Sequence, residues 1–151
     1  EHNYIYLVNG NLYSSNFDHE EKNRIKINSY DQNIEYKLSK NPLVCLNHAL
    51  AENGYSLEID KNYKFKKVLV IYNFFTKNIE NKILNNKNNI KVNENGELHI
   101  IEYTINESKS KFINNVYETI TLGKNSKLKS LCTQSNKSDG FFHKFLKNNL
   151  Y

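Results

Sequence analysis

The chain has 151 residues and a mass of 17.8 kDa, the size of one ordinary domain with room for a core. At 38% hydrophobic and 25% charged it reads as neither a disordered tail nor a membrane protein, and no window approaches the ~18 unbroken apolar residues of a spanning helix. A formal charge of +5 raises nucleic acid as a partner. However, Arg24 is the only arginine among the 21 basic residues, and the guanidinium fork is what a dedicated phosphate or base reader needs. Enrichment in Asn, Ile, Tyr, Phe and Lys, with two Ala and one Pro, follows AT-rich codons and accounts for the lysines without a ligand. The reading is therefore no nucleic acid and no membrane. Cys45 and Cys132 are too few and too far apart for a disulfide framework. Together with the absence of a visible leader in EHNYIYLVNG, they place the chain in a cytoplasmic compartment, or in an organelle stroma or matrix.

In chain order, an alternating run from Tyr4 to Val8 meets Asn9-Gly10-Asn11, a hairpin signal. Residues 14–40 are polar, with a helical start expected at 18–21 and a short strand at 24–27. The clearest helix covers 43–52. Asn41 is placed to cap it, Pro42 takes its first position, and Leu43, Leu46 and Leu50 fall at helical spacing. Gly54 follows as its left-handed stop. Residues 55–59 and 67–75 are β-like, and VLVIYNFF is apolar enough for a strand covered on both faces.

An internal repeat organises what remains. Leu57, Ile59, Asn62, Phe65 and Val68 recur as Ile90, Val92, Asn95, Leu98 and Ile101, and again as Ile120, Leu122, Asn125, Leu128 and Leu131. The offsets are 33 residues (90 minus 57) and 30 (120 minus 90), and Phe112 and Phe142 are also 30 apart. The Asn column fits a corner, because Asn tolerates a left-handed backbone. With 27 Asn in the chain, though, the apolar columns carry the weight. The repeat predicts a stacked solenoid with Val92, Leu98, Ile101, Leu122, Leu128 and Leu131 inward and the helix over or near the open end of the first coil. An ordinary antiparallel sandwich is the alternative.

No residue pattern points to catalysis. His99 alternates with Leu98 and Ile100 and so faces outward; His143 and His48 lack partners at metal-ligand spacing. Cys45 reads as a small helix hydrophobe and Cys132 as a coil residue with nothing to lower its pKa. Glu102 and Glu118 flank strands, and acid–base work would need them at a defined separation. Ser138-Asp139-Gly140 reads as a turn. No phosphate loop, dinucleotide fingerprint or nucleophile elbow is present. The expectation is a non-enzyme, with no catalytic, cofactor-binding or metal residue assigned.

Four segments carry a family resemblance, in the family's order. They are YLVNGNLY (6–13), PLVCLNHALAENGYSLEI (42–59), ELHIIEYTI (97–105) and FINNVYETITLGKNSKLK (112–129). They resemble the SufB/SufD scaffold proteins of SUF iron–sulfur cluster assembly, the SufD-like member most. The second segment is the most specific, since helix, glycine and strand occur together. Departures are Asn53 for the family's Asp, Ser126 for its Ala, and Lys66-Lys67 at a coil entry. The resemblance implies a mainly β chain: a right-handed parallel β-helix preceded by a small α+β region. Residues 1–54 would form that region and 55–151 the first coils of an incomplete helix. It further implies a non-catalytic scaffold whose partners are a SufB-like paralogue and a SufC-type ABC ATPase. The complex handles the iron–sulfur cluster, and this chain alone binds no cofactor. The alternative is a stand-alone β-solenoid module that binds protein or carbohydrate.

Overall fold

The computed structural model describes residues 2–31, 39–107, 111–134 and 140–151. Asn9 and Gly10 both take positive φ, 52° and 87°, the backbone of a tight two-residue hairpin loop. They join β1 (Asn3–Val8) to β2 (Asn11–Asn16) as an antiparallel pair. Residues 18–21, expected to begin a helix, form turns instead; β3 (Ile25–Ser29) follows.

Helix α1 (Pro42–Leu50) begins as the sequence signals it: the Asn41 side chain accepts from the Leu43 N–H at 2.9 Å and Pro42 takes the first turn. Its buried face differs from the leucine stripe. Val44 and Asn47 are buried, and Leu50 is largely exposed. Gly54 does not stop the helix. It lies inside β4 (Asn53–Ile59) at φ 132°, where a Cβ would run into the Lys87 carbonyl. Close backbone approach, rather than helix termination, requires the glycine there.

From β4 onward the chain winds. β5 (Leu69–Phe75), β6 (Ile83–Val92), β7 (Glu97–Asn106), β8 (Ile113–Leu122), β9 (Lys127–Thr133) and β10 (Phe141–Leu150) form two parallel stacks. One stack is β4-β6-β8-β10 and the other β5-β7-β9. This is a parallel β-solenoid of about three turns. The N-terminal hairpin closes its lower end: β1 lies parallel to β5, β2 touches β4, and β3 pairs antiparallel with β4. Ile5 and Leu7 thus share one core with Leu57, Ile71, Ile90, Val92 and Leu98.

The repeat registers hold at the columns that matter. Leu57 pairs with Ile90 and Ile90 with Ile120; Leu98 pairs with Leu128. The corner asparagines Asn62, Asn95 and Asn125 all adopt left-handed φ, 61°, 55° and 57°. Their side chains form a ladder, Asn95 donating to Asn62 at 2.8 Å and Asn125 to Asn95 at 3.3 Å.

Three expectations need correction. Ile101 is only half-buried, Leu131 is 58% exposed and Val68 is exposed. An offset of three cannot keep Leu98 and Ile101 on one face, because strand side chains alternate with period two. Leu98, Ile100 and Glu102 face inward instead. The first coil also carries two extra residues, so Val70, not Val68, pairs with Ile101. Phe112 and Phe142 touch at 5.4 Å, but Phe142 pairs with Asn114. Finally, α1 does not cover the open end of the first coil. It packs on the flank, against β6 and β8.

Candidate functional site

Polar residues concentrate where the solenoid runs toward β9 and β10. Inward positions of β7, β8 and β10 bring together Glu102, Glu118 and Lys144. The two carboxylates are 6% and 3% exposed, and the Lys144 Nζ sits 2.9 Å from one oxygen of each. The pair that sequence could not position is therefore assembled by three strands around one ammonium. Beside it lies a cavity of about 140 Å³ whose lining includes Asn88, Glu102, Cys132, His143 and Lys144.

The electrostatics follow from burial. Burial pushes the Glu118 carboxyl above its ordinary range and the nearby Glu102 adds to the push, while Lys144 opposes both. Burial disfavours the charge on Lys144, but Glu118 and Glu102 overcome it and hold the ammonium protonated beyond its usual range. Burial and the Glu102 charge raise the Cys132 thiol, which makes it a poor nucleophile. Tyr55, packed below, is raised by burial and by the same two carboxylates. The Glu118 Oε2 and Asn88 Oδ1 atoms are buried without a hydrogen-bond partner. Such acceptors in a polar cavity are positions for water or another donor.

A second polar network fixes the helix from outside. Asn47 donates to the Asn86 and Asn115 carbonyls, each at 2.9 Å. Asn115 donates in turn to the Leu43 carbonyl and to Asn85 Oδ1, each at 2.8 Å. The His143 Nδ1 lies 2.9 Å from Asn115 Oδ1. An asparagine on a short helix thus spans two coils, which explains why Asn47, and not a leucine, is its most buried residue.

The other sequence candidates stay apart. His99 faces outward with Glu97 at 3.1 Å, as its alternation predicts. His48 lies against Tyr117, the ring centroids 4.6 Å apart and the planes tilted by 57°. Cys45 donates to the Ser39 carbonyl at 3.1 Å, far in sequence and on another element from Cys132. Ser138 and Asp139 lie outside the described residues. Among the described residues, no group of three or more His, Cys, Asp or Glu is placed to hold a metal ion, and no helix is long and apolar enough to cross a membrane. Sequence reasoning missed Lys144; its signal, a lysine at the inward parity of β10, becomes readable only once the register is known. Scanned against family models and curated proteins, the chain finds no match.

Proposed function

We propose that this chain is part of a SufD-like scaffold subunit of the SUF iron–sulfur cluster assembly complex. What supports the reading is the way the four resembling segments lie along one solenoid. YLVNGNLY is the closing hairpin, and PLVCLNHALAENGYSLEI runs from α1 into β4. ELHIIEYTI makes up all of β7 but its last residue, and FINNVYETITLGKNSKLK passes from β8 through the Asn125 corner into β9. Helix, glycine and strand follow one another along the segment that carries the most specific part of the resemblance.

In this reading the chain performs no chemistry. It supplies a rigid parallel stack within a subunit whose partners are a SufB-like paralogue and a SufC-type ATPase. The ATPase contact belongs to a C-terminal helical region that has no matching position in this sequence, and the iron–sulfur cluster is cargo of the assembly. Two thiols on separate elements are a poor cluster cradle, since cluster iron is held by several thiolates.

The test is affinity purification of the natural protein from its source cells under anaerobic conditions, with co-purifying proteins identified by mass spectrometry. Recovery of an ABC-type ATPase with a second solenoid subunit supports the assignment. Recovery of neither, with retention on a polysaccharide resin instead, replaces it with the stand-alone binding module.

A further inference from the structure

The outer face of the β1-β5-β7 sheet carries an aromatic array that the assembly reading does not use. Tyr6, Tyr72 and Tyr103 sit in paired register on three adjacent strands. Tyr6 and Tyr72 stack with centroids 4.8 Å apart, and Tyr72 and Tyr103 with centroids 6.1 Å apart, at interplanar angles of 23° and 19°. Rings in face contact would be roughly 3.5–4 Å apart. Both separations lie within the usual range of offset-stacked rings, whose faces overlap only in part. Tyr4 joins the row at 4.8 Å from Tyr6, tilted by 52°. At one end His2 holds the Tyr72 hydroxyl at 3.0 Å.

Tyr4, Tyr6 and Tyr72 form the floor of a groove of about 460 Å³ whose rim is Asn16, at the end of β2, with Asp18 and His19 just after it. Asp18 is exposed, its carboxylate accepting only from Asn16 at 2.7 Å among the described contacts. Among the described residues, no lysine or arginine lines the groove. Elsewhere the chain satisfies its tyrosines with its own cations: Arg24 lies 5.8 Å over the Tyr63 ring and Lys87 lies 5.7 Å over Tyr30. Among the described residues, no cation of the chain lies over the Tyr4-Tyr6-Tyr72 array.

We propose that this groove binds a cationic side chain, an arginine guanidinium above all, presented by a partner polypeptide. Electron-rich ring faces attract a cation within about 6 Å of their centroids, and a planar guanidinium also stacks on them. Asp18 at the rim supplies the opposite charge and a fork-matching acceptor. A protein of net charge +5 repels cationic peptides at long range, so binding has to come from this local arrangement. The proposal is independent of the scaffold reading, because either a scaffold or a binding module would use the face in the same way.

The probe is acetyl-Gly-Arg-Gly-Arg-Gly-amide, titrated into the whole chain and followed by NMR of the tyrosine ring signals. Its counterpart with citrulline for arginine has the same shape and no charge. The arginine peptide should bind about tenfold more tightly, which is the range of one to two cation–π contacts with a carboxylate. Asp18→Asn and Tyr72→Leu should each weaken it severalfold, with far-UV circular dichroism checking the fold. Asp18 is exposed, so its variant keeps the test decisive if Tyr72→Leu unfolds. Equal affinity for the two peptides, no saturable shift, or an undiminished Asp18→Asn variant would overturn the proposal. So would a stronger response to a short glucan than to the arginine peptide, which would make the array a sugar platform.

Discussion

In the first coil Tyr55, Leu57 and Ile71 point into the lumen; two coils later the same columns carry Glu118, Ile120 and Cys132. Between them stand Asn88, Ile90 and Glu102. The stack therefore keeps its backbone register while its interior changes from apolar to polar along the axis. The interior of the lower coils is filled by apolar side chains, with Leu57, Ile59, Leu69 and Val92 fully buried. The upper coils are joined through Lys144, whose ammonium bridges two carboxylates from the strands beneath. Parallel stacking is set by the backbone ladder, and what fills the lumen is free to vary as long as each polar group finds a partner.

The sharpest break of this comparison is in the lower coils. Leu98→Ala removes a fully buried side chain from the shared core and should cost about 2–5 kcal/mol in urea or thermal unfolding. A cost below about 0.5 kcal/mol would mean that the apolar half is not the stabilising one.

Next in size is Lys144→Met. It leaves Glu102 and Glu118 facing each other without a cation, and breaking a buried pair from one side costs roughly 3–5 kcal/mol. The Lys144 side chain is 36% exposed, so about 2–4 kcal/mol is expected at neutral pH. The loss should shrink in acid, where Glu118, raised by burial, takes up a proton. Stability unchanged at neutral pH would show that the polar coil does not depend on this cation.

Why some of this was legible and some was not comes down to parity. The hairpin, the helix cap and the Asn corners are local signals, each requiring a backbone state that only certain residues tolerate, and all three appear where the residues place them. The long-range columns at Leu57-Ile90-Ile120 and Leu98-Leu128 were legible because coil length is nearly constant. Apolar character alone puts Ile101 and Leu131 inward, whereas the two-residue alternation of a strand puts them on the outer face. The Glu102–Lys144–Glu118 cluster joins positions 16 and 42 residues from Glu102 (118 minus 102, 144 minus 102). No spacing rule links such positions before the register of β10 is fixed.

The two ends also predict opposite responses to pH. Outside the first coil, burial works against the Glu20 charge, but bonds from Tyr63, Asn3 and the Lys66 and Lys67 N–H groups prevail and lower its pKa. The unfolded chain then binds more protons there, so this contribution is present above the ordinary carboxylate pKa and is lost as pH falls through the lowered one. For Glu118, raised mainly by burial, the sign reverses: stability falls as pH rises from the ordinary value through the raised one. Glu20→Gln should therefore destabilise by about 1 kcal/mol at neutral pH and by little in acid. Glu118→Gln should flatten the loss on the neutral side of the carboxylate range. Unfolding measured from pH 3 to 8 on both variants checks the signs, and parallel curves would refute the contrast.

The smallest expected effect tests the parity argument directly. Leu131 has the composition of a core residue and the spacing of Leu98 plus one coil plus three, yet it pairs with Ile101 on the outer face of β9 and is 58% exposed. Its neighbour in the inward direction, Leu128, packs on the core. Leu131→Ala removes apolar surface that water already reaches, so its unfolding free energy should stay within about 0.5 kcal/mol of the parent. Leu128→Ala, three residues earlier on the same strand, should cost measurably more, because it opens a gap above Leu98. Comparing the two in one background removes any general weakness of β9 from the result. If Leu131→Ala proves the costlier of the pair, the outward assignment of Leu131 fails, and with it the alternation that places Glu102 and Cys132 in the lumen.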